Sequence, residues 1–411
     1  MKNKLYLLLL VVVFSCDRPD KSRENDESEV RIDFRDDAER LSRELLIVDA
    51  HIDIPYRLDN QWEDISGRTA GGHFDYVRAM EGGLNAAFMS IYIPATLQTT
   101  GGARTYADQL IDMVYGFEEK WPEKFSAASS MEDIISDFKA GIISLPMGIE
   151  NGAAIEDDIR NVTYFYERGI RYITLTHSKW NQICDSSYDT DKHWNGLSPF
   201  GREVITEMNR LGMLIDISHV SDSAFFQVIE QSKAPVIATH SSCRYYTPGF
   251  ERNMSDEMII KLAEQGGVIH INFGSYFLDE EFRDKMQKVY DYLDANQIQW
   301  GSEEQIAYFN QNEIENELPE ITVDDVADHI SHVASIAGVD CIGLGSDFDG
   351  VNHVPAGLDD VSMYPNLIER LLEDGFTEDD IRKICSGNLF RVWTDVNYIS
   401  ENWHKTLSVN H

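Results

Sequence analysis

Apolar residues follow two rhythms along this chain. Short, nearly unbroken apolar runs cover residues 45–50, 85–93, 142–149, 172–176, 213–218, 235–239, 267–273 and 341–346. Between them the spacing turns helical, most clearly over 155–168, 202–211, 221–231, 255–265 and 323–337. Runs without polar alternation belong to strands buried on both faces, so their alternation with amphipathic helices predicts a parallel sheet covered by helices. Ser221, Ser255 and Thr322 stand where helix N-caps are expected, and Gly212, Gly266 and Gly338 fall just past helix ends. Eight such strands in one chain predict an α/β fold of the (β/α)8 barrel type, with a single catalytic domain. An open doubly wound sheet is the alternative, but no GxGxxG follows the first strand.

The first residues depart from both rhythms. Lys2 and Lys4 precede an apolar run over 5–14, and Ser15 stands before Cys16. A basic start, a short apolar stretch and a small residue before the cut describe a signal peptide. A run of about ten residues is half of what a membrane-spanning helix requires. The residues before Cys16 are similar to a bacterial lipobox, so residues 1–15 are expected to be removed and Cys16 to be acylated. Residues 16–30 are polar and charged, as in a flexible tether. The catalytic domain is then expected over 31–398, with a strongly acidic insertion around 276–320 and a tail over 399–411. That insertion, with Trp300 and Tyr308 among its aromatics, is longer than a barrel loop requires. A lid, a dimer contact and a solvated excursion all fit it.

Composition narrows the partners. The 411 residues are 43% hydrophobic, enough for one large core, and exclude a disordered or collagen-like chain. Lys and Arg number 35 against 71 Asp and Glu, a formal charge of −36, so nucleic acid is excluded as a partner. Cys184, Cys243, Cys341 and Cys385 show no CxxC or finger spacing, and Cys341 and Cys385 lie in apolar surroundings typical of core thiols.

Chemistry gathers just past the strands. His51 and Asp53 end the first run, Glu150 the third, His177 the fourth, His219 the fifth, His240 the sixth and Asp347 the eighth. A barrel collects the carboxyl ends of its strands at one mouth, so residues spread over the chain converge there. One histidine so placed is ordinary; four histidines with three acids predict a metal site. His51 and Asp53, two apart on an extended segment, point the same way and can grip one cation. Glu150 can bridge two cations, and His219 and His240, from adjacent strands, complete the second site. Two divalent ions held roughly 3.5–4 Å apart would activate a shared hydroxide at neutral pH. Nitrogen and carboxylate ligands without thiolate favour zinc, with manganese or cobalt as alternatives. His177 is then placed to hydrogen-bond the oxyanion of a scissile carbonyl, and Asp347 to carry a proton from water to the leaving amine. Asp349 reads as a turn residue before Gly350, and the glycines around Asp347 as allowing close backbone approach.

The segments VDAHIDIP, GIENG, RYITLTHSKWN, EMNRLGMLIDISHVSD, PVIATHSSCR, ERNMSDEMI, GLGSDFDGV and SGNLFRVW resemble, in order, the renal-type membrane dipeptidases, a binuclear zinc family of metal-dependent hydrolases. The resemblance extends from about residue 46 to 393. It implies a first zinc on His51, Asp53 and Glu150, and a second on Glu150, His219 and His240. It also implies that His177 contacts the substrate, that Arg252 meets the free carboxylate of a dipeptide, and that Asp347 acts at the end of the last strand. A guanidinium suits that carboxylate because it offers parallel donors. L-L dipeptides, and L-D ones, are the expected substrates of an enzyme anchored by lipid at the cell envelope, with a homodimer as the expected assembly. Two departures stand out. Asn151-Gly152-Ala153 follows Glu150 where the family commonly has Gly-Gly-His, and Gly274 intervenes before Tyr276 where an aromatic is often seen. A barrel hydrolase for another amide, lactone or phosphoester would use HxH on the first strand and a carboxylated lysine on the fourth. A non-catalytic binding lipoprotein would have a broken ligand set, and none of these residues is missing.

Overall fold

The computed structural model describes residues 33–298 and 302–409, with side chains to residue 403. The expected signal peptide, Cys16 and tether, and Trp300, lie outside them. Among the described residues ten strands form one parallel sheet: β1 (Ile47–Ile52), β2 (Leu84–Tyr92), β3 (Phe125–Ser126), β4 (Ile143–Ser144), β5 (Met147–Glu150), β6 (Ile170–Thr174), β7 (Leu214–Asp216), β8 (Ile237–Ser241), β9 (Val268–Ile271) and β10 (Ile342–Leu344). Eight of them run β1-β2-β5-β6-β7-β8-β9-β10. The cylinder closes where Asp53 N–H donates to Phe348 O (2.9 Å) and Asp347 N–H to His51 O (3.1 Å). The fold is the (β/α)8 barrel that the strand count predicts.

The run over 142–149 is not the single strand its apolarity predicts. Pro146 has no N–H to give a ladder and ends β4. The first half pairs with β3 beside the start of β2, while β5 alone enters the barrel. The helical run over 155–168 also starts late: Gly152–Ile155 is a 3-10 turn and the α-helix is Arg160–Glu167. The expected caps hold. Ser221 accepts from Ala224 N, Ser255 from Met258 N and Thr322 from Asp324 N, the last within a capping box with Asp325. The long helix Ala103–Lys120 was not legible in the pattern, and the helix Asn388–Val409 runs across the expected start of the tail.

Successive inward positions make layers, because side chains on a strand repeat every two residues. At the bottom, Val48, Phe88, Tyr172, Leu214, Ile237 and Val268 pack on Leu389, Val392, Trp393 and Val396 of the last helix, which closes the barrel base. Two residues further on come Ser90, Thr174, Asp216, Thr239 and His270, all buried. Above this polar layer lies the site. All four described cysteines are buried free thiols.

Candidate active site

Five side chains place Glu150 at the centre. Its Oε1 lies 3.0 Å from His219 Nε2, 3.3 Å from His240 Nε2 and 3.6 Å from His177 Nε2. Its Oε2 faces the other way, 3.6 Å from His51 Nε2 and 3.3 Å from the Ser90 hydroxyl, which donates to it. His51 Nε2 lies 3.4 Å from Asp53 Oδ2. Asp347 shares a cluster with His51 and Asp53 in which the candidate ligand atoms all lie within 4.8 Å of one another. The seven residues expected at the strand ends thus converge, though they stand on β1, β5, β8 and the turns after β1, β6, β7 and β10. His219 and Asp347 reach the site from left-handed backbone, at φ of 68° and 63°, a strain that surrounding structure must hold in place.

The arrangement fits metal ions. His219 Nε2 and His240 Nε2 are 2.8 Å apart, and His51 Nε2 is buried without a hydrogen-bond partner. The opposite ring nitrogens explain why. His51 Nδ1 meets the Tyr172 hydroxyl at 2.9 Å. His240 Nδ1 meets Thr239 Oγ1 at 2.8 Å, and that hydroxyl donates to Asp216 Oδ2 at 2.6 Å. The Asp216–Thr239–His240 order puts the ring proton on Nδ1 and leaves Nε2 a lone pair facing the cluster, a tautomer read from the network. Nitrogen lone pairs and carboxylates converging in a buried space are donors for a cation.

Electrostatics keep lone pairs free on His219 and His240, whereas the acids around His51 favour its charged form. Burial, then Arg252 and His177, push the His219 pKa well below the usual imidazole value, and burial with His51 does the same for His240. Burial also lowers His177, against the pull of Glu150. For Glu150 burial acts upward, but His177 and His51 outweigh it and hold the carboxylate well below its ordinary range. For His51 burial acts downward, and Tyr172, Asp53 and Glu150 outweigh it, so the ring is held well above. Asp347 goes far upward through burial and the charge of Asp53. Asn272 Nδ2 donates to Asp347 Oδ2 at 2.7 Å and fixes its orientation. A carboxyl raised in this way takes up a proton readily.

Arg252 would read as a surface residue from its local sequence, yet it is 3% exposed. Its Nη1 donates to Ser241 Oγ (2.7 Å) and its Nη2 to His240 O (2.6 Å), while Nη2 lies 3.1 Å from His219 Nε2. Its Nε is buried and has no hydrogen-bond partner. Phe277 lies beneath the guanidinium at 5.4 Å.

The membrane dipeptidase model, peptidase family M19, matches residues 35–406. The chain belongs to that family. An uncharacterized dipeptidase of Schizosaccharomyces pombe is 31% identical over 378 residues, covering 87% of this chain and 83% of the relative. The solved structure of the probable dipeptidase PvdM of Pseudomonas aeruginosa is 26% identical, with a TM-score of 0.78 over 89% of this chain and 98% of that one. That of dipeptidase AC, a metallopeptidase of family M19, is 25% identical, with a TM-score of 0.72 over 86% and 98%. This member of the family is therefore a metallo-dipeptidase.

Several supporting residues escape a reading by strand ends. Asp216 and Thr239 act one layer below and Tyr172 two, inside apolar runs; a buried acid in the middle of LIDIS is the only signal of this support. Asp49 accepts from His51 N and Ser346 N at 3.0 Å each and from the Tyr364 hydroxyl, tying β1 to the chain after β10. Asp349 is more than a turn residue. Its side chain is buried, pairs with Arg57 at 3.0 Å and accepts from His73 N at 2.6 Å. The glycines nearby do permit close approach: a Cβ on Gly350 would stand 2.2 Å from Asp53 Oδ2, and one on Gly345 would stand 1.8 Å from Thr239 O. At the departure after Glu150, Asn151 Nδ2 donates to Ile93 O (2.9 Å) and Asn151 Oδ1 accepts from Asn181 (3.1 Å), so it braces neighbouring loops.

Proposed function

We propose that this metallo-dipeptidase uses two zinc ions, one on His51, Asp53 and Glu150 and one on Glu150, His219 and His240, to hydrolyse L-L and L-D dipeptides. The observation that carries this reading is Glu150, whose two oxygens face separate groups of imidazoles. When bound, such an ion pair supplies Lewis acidity, lowering the pKa of a shared water toward about 7 and polarising a carbonyl.

The chain's own residues do the rest. Arg252, desolvated and with Nε unengaged, binds the free carboxylate and orients the scissile bond. His177 is neutral because burial disfavours its cation. One ring N–H therefore donates to the carbonyl oxygen as negative charge develops there. Asp347, clustered with His51 and Asp53, accepts the proton of the attacking water as general base. As the C–N bond breaks, Asp347 passes the proton to the leaving nitrogen, so the water oxygen ends on the new carboxylate and its proton on the amine. Asn272 keeps Asp347 pointed at that path.

We also propose that the chain is an exported lipoprotein held at the envelope by an acyl chain on Cys16, and that it acts as a homodimer; the leader pattern over 1–16 supports the anchor. Cys16→Ser should then move the protein from the membrane fraction to the soluble one. The catalytic reading is tested by stripping the protein with a chelator, reloading it with zinc, manganese or cobalt, and assaying a panel of L-L and L-D dipeptides. Hydrolysis should vanish and return with metal. A reloaded protein that cleaves no dipeptide would overturn the reading.

A further inference from the structure

Between the end of β9 and the segment after β10 lies a cavity of about 300 Å³, walled by Tyr188, Gly274, Tyr276, Phe277, Tyr290 and Val351. It adjoins the catalytic cluster at two points. Gly350 lines it, and a side chain there would collide with Asp53 and Asp347; Tyr188 lines it, with its ring 5.9 Å from that of His219. The insertion builds its far wall. Tyr290 on the helix Glu280–Ala295 sets its ring 5.7 Å from that of Tyr276, and its hydroxyl bonds Asn352. The Tyr276 hydroxyl donates to Gln287 Oε1. Phe250 packs edge-on behind Tyr276 at 5.4 Å and stands 6.0 Å from Tyr188, which stiffens the wall.

The polar inventory of this cavity is as informative as its shape. Among the described residues no carboxylate, lysine or arginine lines it, and the one titratable ring besides the tyrosines, His353, is paired with Glu315 at 3.2 Å. The tyrosine hydroxyls already have partners in Asn352 and Gln287 for the two insertion-side rings. A charged side chain entering here would lose water and gain no counter-ion, whereas an apolar one would gain aromatic contact. Gly274 contributes to the opening: a Cβ on it would stand 2.7 Å from Val351 and 2.9 Å from Phe277. The departure from the family at Gly274 thus coincides with a pocket that the insertion completes.

We infer that this pocket receives the side chain of the carboxyl-terminal residue of the dipeptide and selects large uncharged ones, phenylalanine and leucine above glycine, aspartate and lysine. The side follows from Arg252. A C-terminal residue carries its carboxylate and its side chain on the same Cα, and the Phe277 ring that underlies Arg252 is also a wall of the pocket. This inference rests on the dipeptidase reading above, and deepens it to a substrate class.

The test is a kcat/KM series on the zinc-loaded full-length protein with Ala-Gly, Ala-Leu, Ala-Phe, Ala-Asp and Ala-Lys, together with Phe-Ala and Asp-Ala. Ala-Phe should exceed Ala-Gly by about tenfold or more, and Ala-Asp and Ala-Lys should fall below Ala-Gly. Tyr290→Ala should reduce the Ala-Phe to Ala-Gly ratio about tenfold. Gln287→Lys, on an exposed helix face, should raise the Ala-Asp to Ala-Phe ratio by a similar factor. A flat series, or a preference that follows the amino-terminal residue instead, would overturn the pocket assignment while leaving the dipeptidase reading in place. Failure to cleave any of the seven would overturn that reading, and this inference with it.

Discussion

On one side of the barrel mouth, His51, Asp53, Glu150, His219 and His240 stand on strand ends and the tight turns that follow them, with Tyr172, Thr239, Asp216 and Ser90 bonded behind. On the other side, the segments Ser275–Leu278 and Glu280–Ala295 present Tyr276, Phe277 and Tyr290 through ring-to-ring packing on helices. The first wall is held by buried polar bonds, the second by aromatic contact and a helix whose outer face is exposed and acidic. Ligand geometry has to be held to fractions of an ångström, and barrel strands supply that rigidity. Selectivity tolerates looser construction, and an insertion outside the barrel ladder can change without disturbing it. The difference suggests that reaction type and substrate choice are carried by separate parts of this chain.

Substitutions on the two walls should therefore differ in kind as well as size. Asp347→Asn removes the proposed proton carrier and leaves a neutral side chain that still accepts from Asn272. Turnover should fall by about 10²–10⁴ in steady-state assays while bound metal is retained; unchanged turnover would remove Asp347 from the proton path. Asp216→Asn acts one layer down. It weakens the hold on Thr239 and so on the His240 tautomer, and metal affinity measured by competition with a chelator should drop about 10–100-fold.

A pH series separates the walls by stability. Burial pushes His270, in the strand layer, and His329, whose Nε2 donates to Leu278 O below the insertion, each down to about 4. Unfolded histidine titrates near 6.5, so between those values the unfolded chain binds more protons than the folded one. Stability from each group is complete above about pH 6.5 and is lost as pH falls toward 4, by ~3 kcal/mol per histidine at most. Denaturation midpoints across that window should show the fall, and His329→Gln should make it shallower. The smallest effect belongs to the outer face of the insertion: Glu281→Ala breaks an exposed pair with Lys285 and should change unfolding free energy by no more than about 0.5 kcal/mol.

The same contrast explains which features are legible in the sequence. His51, Glu150, His240 and Asp347 are visible because strand ends of a barrel share one mouth, whatever their separation in sequence. The split of the third apolar run turns on Pro146 alone, a local rule that an unbroken hydrophobic count overlooks. Asp216 and Tyr172 act through hydrogen bonds between strands far apart in sequence, and no spacing encodes those. Tyr290 and Gln287 face the pocket because of how a helix packs on the barrel, so no local pattern marks them as a wall. Arg252 stood out by resemblance alone, since nothing in its neighbours predicts burial.

The claim on which the account depends is that Glu150 joins two cations into one centre. Metal content after exhaustive dialysis, measured for the native protein and for Glu150→Gln in parallel with dipeptide hydrolysis, tests it most directly. The account predicts close to two divalent ions per native chain, and loss of both metal and activity in the variant. A variant that keeps two ions and its turnover would contradict it.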